Sequence, residues 1–580
     1  MNNKIPNTNL SNKLPRLFSA PRCLGTVSTI SASFAKVNLS KAGLPSGSSF
    51  GGGRYGLGEV SEFVLIEGER ASVFGRITEV RLPERERLSV EDEAGVGVEV
   101  HALAFVQLLA SVSLETLKVI SGIEIYPRLG DKVYAAPHSF IAQIPELMAI
   151  KSDGETTANR VVLRLGHIKN APETSISIRP EKLFGRHCAI LGATGGGKSY
   201  TLARIVEECQ KHQCKAILLD ATGEYRDLAG SIEHWHLGIP FETAIGSEEA
   251  SVPPTSFLEQ DFIALFEPSG KVQGPKLRAA IRSLKLAEIC PNEATNGLIK
   301  KKGKTQKEIG RIEFKNSEAL ENPKNAFNPH NLANQIVEEC VRYNGDAAGI
   351  DDDFNFNFCL PLITRISGIL RSEALGPVFQ SKGKPIDEVI HEFEKGEAKI
   401  LRFCMSGLMT DFNAKEVITN AIGRNLLSRA RAGDFRDRPM VVFLDEAHAF
   451  IGKAFGSEDF HTRLDAFEII AKEGRKYGLN LCLATQRPRD LPEGVISQMG
   501  TLIVHRLTND KDREMVERAC GEIDRSASSF LPNLQPGEAA LLGVDFPIPM
   551  TIQIAMPVAK PQSDGSDFQK NWNDPLKSAE

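Results

Sequence analysis

The stretch Gly192-Ala-Thr-Gly-Gly-Gly-Lys198-Ser199 constrains this chain more than any other. It has the pattern G-x-x-x-x-G-K-S. The apolar run Cys188-Ala-Ile-Leu191 leads into it, and a helical pattern with Leu202, Ile205, Val206 and Cys209 on one face follows. Strand, glycine loop and helix in that order make a phosphate site. The glycines let backbone N–H groups close around a phosphate, and the helix N-terminus adds partial positive charge. Lys198 is placed to reach the β- and γ-phosphates of a nucleoside triphosphate, and the Ser199 hydroxyl to hold Mg²⁺. Gly192, Thr194, Gly195, Gly196, Gly197, Lys198, Ser199 and Tyr200 are therefore the candidate nucleotide-binding residues.

A second apolar run, Met440-Val-Val-Phe-Leu444, delivers two carboxylates, Asp445 and Glu446, at its end. In open α/β sheets the carboxyl ends of the strands are where ligands bind. Asp445 is expected to hold Mg²⁺ through water, and Glu446 to orient and polarise the attacking water. Asp220 closes the run Lys215-Ala-Ile-Leu-Leu-Asp220 and is a further candidate acid for the metal or its water. Glu224 reads equally well as the acid of a helix N-terminus. Gln486 follows the run Leu481-Cys-Leu-Ala484 and is placed either to sense the γ-phosphate or to serve as a turn amide.

At 580 residues the chain exceeds a single core. Before the glycine loop the pattern is β: Val96, Val98, Val100 and Ala102 alternate with polar or small residues, as Val80 and Leu82 do around Arg81. Short strands between turn signals predict a small antiparallel barrel or sandwich. Gly51-Gly-Gly-Arg54 lacks Lys-Ser and a following helix, so it predicts a long flexible hairpin rather than a second phosphate loop. Residues 255–395 are mostly helical in pattern. They carry a basic tract, Lys300-Lys-Lys-Gly-Lys304 with Lys307, and an acidic one, Asp351-Asp-Asp353.

The formal net charge of -5 excludes a global basic field, so any nucleic-acid contact must come from a local lining. Lys453, Arg463, His505 and Arg506 are the candidates, each weighed against an ordinary solvated charge. The tract at 300–307 is either a disordered loop or a DNA binder. Cys209, His212 and Cys214 fall short of a four-ligand metal set. The cysteine spacing fits a reducing cytoplasm, and no run of about 18 apolar residues points to a membrane span.

Leu444-Asp-Glu-Ala-His448, Glu473-Gly-Arg-Lys-Tyr477-Gly478 and Ala484-Thr-Gln-Arg-Pro488 follow one another as in the HerA branch of the HerA–FtsK ring ATPases. Arg186-His-Cys-Ala-Ile-Leu-Gly192 also resembles that family's approach to its phosphate loop. Asp220-Ala-Thr-Gly-Glu-Tyr225 departs from it, since the family more often has proline after the aspartate. The resemblance spans about 25–555 and is strongest in the core. It implies an α/β, RecA-like P-loop NTPase core with an N-terminal small β-barrel domain and an inserted helical bundle. The chain then divides into a flexible tail (1–20), a barrel (21–142), a first core segment bearing the Walker A loop (143–254), the insertion (255–395), a second core segment with Walker B, finger and sensor (396–545), and a C-terminal brace or tail (546–580).

The resemblance further implies a homo-hexameric ring that hydrolyses ATP between subunits and moves double-stranded DNA through its pore. Arg475 resembles the arginine finger that a neighbour supplies, and Arg186 a second, same-subunit arginine near the phosphates. Against these stand a solvated helix-end cation for Arg475 and a strand-start surface charge for Arg186. A separate nuclease or NADase-type effector is the expected partner, in DNA end processing or anti-phage defence. The alternative is an ATP-regulated assembly platform that activates such an effector without processive translocation.

Overall fold

The computed structural model describes residues 17–40, 48–50, 53–55, 58–82, 102–148, 160–169, 171–322, 325–379, 383–457, 460–520 and 529–563, with 568 and 572. Contacts within the chain divide it into two units, Met1–Glu208 with Met499–Met556, and Cys209–Gln498 with Pro557–Glu580.

The first unit opens with a barrel. Strands Phe34–Leu39, Cys23–Ile30, Lys132–Ala135, Phe63–Ile66, Ala71–Arg81 and Ala102–Ser113 pair in that order. The last then pairs back onto the first. Closure satisfies every edge that an open sheet would leave unpaired. The period-2 pattern does the sorting: along Phe34–Leu39 exposed or half-buried residues alternate with buried Ala35, Val37 and Leu39. Leu24, Val64, Ile77, Val106 and Val133 meet them inside. The predicted barrel is therefore present; the alternation at 96–100 lies outside the described residues. So does the centre of the glycine hairpin at 51–52, although Ser48–Phe50 and Gly53–Tyr55 do pair antiparallel around it. The predicted tail needs trimming: Leu17 is buried and the Phe18 ring packs edge-on to Tyr134 at 5.2 Å. Residues 1–16 lie outside the description.

Also in the first unit, strands Ala171–Ile178, Leu163–Ile168, Met550–Ile554, Glu538–Leu542, Thr501–Val504 and Cys188–Leu191 lie side by side. Only the last two are parallel, with Leu191 opposite Val504. Their shared carboxyl edge carries the glycine loop.

The second unit holds a parallel array in the order Leu479–Thr485, Met440–Leu444, Lys215–Asp220, Ile400–Cys404, Ile232–His236, Glu248–Ser251 and Lys384–Pro385. Its strands Met440–Leu444 and Leu479–Thr485 and the middle of Lys215–Asp220 are largely apolar, as expected where both faces are covered. Helices Ala414–Ala432 and Ala466–Glu473 pack against each other beside it. The insertion is helical as predicted: Gly270–Ile289, Leu332–Glu339 and Asp353–Arg371 form its centre.

The basic tract is ordered, and four of its lysines have acidic partners. Lys301 pairs with buried Glu339 at 2.5 Å, Lys302 with Asp351, Lys304 with Glu293 at 3.4 Å and Lys307 with Asp346 at 2.8 Å. Glu339 also accepts from Ser283 and Gln335, so this tract is stitched into the bundle. Of the two charge runs that read as separate in sequence, Lys302 and Asp351 meet directly.

Candidate nucleotide site

In the first unit the glycine loop is built against one buried histidine. Gly195 and Gly197 have φ of +74° and +110°, conformations that a Cβ would strain. Gly192 is required for a different reason: a Cβ there would sit 2.6 Å from the Cβ of His505. His505 follows the strand Thr501–Val504. Its N–H donates to the Leu191 carbonyl at 2.7 Å, and the Ala193 N–H donates to the Arg506 carbonyl at 3.1 Å. The ring is fully buried. Nδ1 donates to the Glu538 carbonyl at 2.7 Å, which leaves Nε2 to accept from the Thr201 hydroxyl, also at 2.7 Å. Gly537 closes the far side, donating its N–H to the Gly196 carbonyl. Lys198, the first residue of helix Lys198–Gln210, is itself buried.

His505 was a DNA-contact candidate from sequence, and the structure overturns that reading. The ring is a strut beneath the phosphate loop. Its only sequence signal is its position directly after an apolar strand, the same place Gly192 occupies after its own. Burial, with Lys198 nearby adding to it, lowers the His505 pKa from 6.5 to about 4. Between those values the unfolded chain binds more protons than the folded one. The stability tied to neutral His505 is thus complete above pH about 6.5 and lost as pH falls towards 4, by ~3 kcal/mol. Urea midpoints measured from pH 7 to 4.5 should fall less steeply for His505→Gln than for the parent; equal slopes would refute the assignment.

In the second unit the strand ends line up. Leu444 is opposite Leu483 on one side and Leu219 on the other, so the residues that follow share an edge. Asp445 is buried, its N–H donating to the Leu219 carbonyl. Glu446 adopts a left-handed backbone, φ +46° and ψ +44°, which costs a non-glycine residue ~1–2 kcal/mol. Such strain persists where the surroundings fix it. Here they do: Gln486 Nε2 donates to Glu446 Oε1 at 2.8 Å, and His448 Nδ1 lies 3.2 Å from Oε2. His448 in turn sits 3.1 Å from the Thr485 hydroxyl. The sequence separately singled out Glu446 and Gln486; the fold joins them and adds His448.

Asp220 has a different position from the one expected. It is fully buried, paired with the equally buried Arg402 at 2.7 Å, and accepts N–H bonds from Gly223 and Tyr225. Arg402 interrupts the apolar strand Ile400–Cys404, and a cation inside such a strand calls for a buried acid. With its lone pairs so engaged, Asp220 holds the turn that follows it. Asp220→Ala should cost ~3–5 kcal/mol by stranding Arg402, read as a lowered urea midpoint; a fully stable variant would return Asp220 to the metal candidates.

The two arginines both lie ahead of the strands whose far ends carry the candidate site residues. Arg186 precedes Cys188–Leu191, at the opposite end from the phosphate loop, and its Nε is 3.9 Å from Asp545. Four strand residues at about 3.3 Å each separate it from Gly192, so the same-subunit role is withdrawn. Arg475 lies in the turn Gly474–Tyr477, ahead of strand Leu479–Thr485, whose far end carries Gln486. Gly478, at φ +76°, and Gly474 let that turn pass close to the Phe435 and Leu479 carbonyls. Arg475 is exposed, and among the described residues no carboxylate pairs with it. Of the other DNA candidates, Arg463 is bound through Nε and Nη2 to Glu468 at 2.7–3.1 Å. Lys453 starts the hairpin Lys453–Ser457 with Phe460–Leu464, and Arg506 is exposed beside the glycine loop.

Two family models match, one described as the central domain of helicase HerA over 163–345 and one as the helicase HerA-like C-terminal domain over 427–531. The DNA double-strand break repair helicase HerA of Pyrococcus furiosus is 25% identical over 481 residues, covering 77% of each chain. A probable DNA double-strand break repair helicase HerA of Methanocaldococcus jannaschii is 25% identical over 68% of this chain and 76% of its own. The HerA of Saccharolobus solfataricus is 24% identical over 67% and 68%. Among the described residues, no helix is long and apolar enough to cross a membrane. With the central and C-terminal domain matches beside a phosphate loop on one strand edge, a clamped acid on another, an N-terminal barrel and a helical insertion, the chain belongs to the HerA helicase family.

Proposed function

We propose that this chain is a homo-hexameric ring ATPase that couples ATP hydrolysis to translocation on, or unwinding of, double-stranded DNA. The observation that carries the reading is the clamp on Glu446: a carboxylate held through Oε1 by Gln486, with His448 beside Oε2, at a strand end is placed to orient and deprotonate water. Lys198 and the loop amides of 192–199 would hold the phosphates. Ser199 in the first unit offers a hydroxyl and Asp445 in the second a carboxylate, each by itself a hard oxygen donor of the kind Mg²⁺ takes in preference to a softer metal. When bound, that ion neutralises phosphate charge. Asp220, engaged with Arg402, and Arg186, at the far strand end, are left out of the set. Arg475 would act on the neighbouring subunit's nucleotide. Relatives named for double-strand break repair support DNA as the load. A separate nuclease or effector, in end processing or defence, would work alongside it.

Linear duplex DNA is expected to stimulate ATP turnover, and the stimulation should collapse between about 50 and 200 mM salt as phosphate contacts release counterions. Turnover measured with and without DNA across that range is the test. Absence of any stimulation at low salt would leave the assembly-platform reading in its place.

A further inference from the structure

Between the barrel and the strands that support the glycine loop, within the first unit, lies a cavity of about 310 Å³. That is the lower end of the range for small-molecule sites, about 300–1,000 Å³. Arg76, from the barrel strand Ala71–Arg81, lines it and is 92% buried, being 8% exposed. Its guanidinium lies 4.2 Å from the ring centre of Phe530 and 5.6 Å from that of Phe63. Among the described residues it has no hydrogen-bond acceptor and no carboxylate partner. Burial alone acts on it, lowering its pKa to about 10. A buried cation without an anion is costly, and most such groups are paired.

A second polar group at the same cavity is also unsatisfied. The Thr551 hydroxyl, on strand Met550–Ile554, is buried with no partner. The nearby acids are otherwise engaged. Glu538 pairs with Lys169 at 2.5 Å, and Glu62 accepts the N–H groups of Gly58 and Glu59. The aromatic rings attract the guanidinium through its face, while its N–H edge is the part that binds planar oxyanions.

We propose that this cavity binds a small anion, a carboxylate or phosphate held by the N–H edge of Arg76 and the hydroxyl of Thr551. A nucleic-acid backbone does not fit the observations, because the cation is recessed, with only 8% of its surface exposed. Glu538 links the cavity to the phosphate loop, since its carboxylate faces the cavity with Lys169 while its carbonyl receives His505 Nδ1.

The test is calorimetric titration of the full chain carrying Lys198→Ala, which stops phosphate from scoring at the glycine loop. Inorganic phosphate and succinate are titrated separately at constant ionic strength, to separate the two anion classes. Saturable binding of at least one to a single site is expected, weakened about tenfold or more by Arg76→Gln and severalfold by Thr551→Val. No saturable binding of either anion, or unchanged affinity in Arg76→Gln, overturns the proposal. Should circular dichroism show that Arg76→Gln is unfolded, Thr551→Val decides, and unchanged affinity there overturns it equally.

Discussion

Glu446→Gln should lower ATP turnover by about 10²–10⁴-fold while nucleotide binding is retained. The amide keeps the size and the left-handed backbone of the original residue, but it cannot take a proton from water. The clamp makes the change a local one. Gln486 donates its amide to Oε1 and His448 stands at Oε2, so the substituted side chain has hydrogen-bond partners in the same place. Binding of a fluorescent ATP analogue, set beside single-turnover hydrolysis, separates the two effects. Turnover within about tenfold of the parent would mean that another group activates the water, and the proposed catalytic role of Glu446 would be lost.

Arg475→Ala should be at least as damaging, by about 10³–10⁵-fold, since an arginine finger stabilises charge that develops only in the transition state. The geometry dictates how to test it. Arg475 and Gln486 sit at opposite ends of strand Leu479–Thr485, seven residues or roughly 23 Å apart at ~3.3 Å per residue. An arginine side chain does not span that, so the residue has no route to its own subunit's Glu446. Mixing Arg475→Ala chains with Lys198→Ala chains creates interfaces in which an intact loop faces an intact finger. Activity above that of either parent is expected at intermediate ratios. Mixtures no better than their parents would remove the between-subunit assignment.

Those residues were legible because strong local patterns carry them. A glycine loop between an apolar strand and an amphipathic helix has one reading, and paired acids after an apolar strand have few. The barrel was legible through period-2 alternation, although which strands pair across the closure was not. What sequence missed are matters of three-dimensional neighbourhood. His505 looks like any polar residue beside an arginine until Gly192 is seen to leave room for it. Asp220 has the sequence profile of a metal ligand, and only the register of Ile400–Cys404 alongside it reveals the claim Arg402 makes on its carboxylate. The lysines at 301–307 read as a basic patch because their acids lie up to 49 positions away. Arg186 was placed near the phosphates by the family resemblance, whereas the strand Cys188–Leu191 separates it from Gly192 in space.

The close fit of Gly192 against His505 also ties two distant parts of the chain together. A Cβ at 192 would meet the Cβ that every residue but glycine carries at 505, and a smaller side chain at 505 would withdraw support from Thr201 and the Glu538 carbonyl at once. The shape of the phosphate loop thus depends on a residue more than 300 positions further along the chain, so damage at the second place is felt at the first.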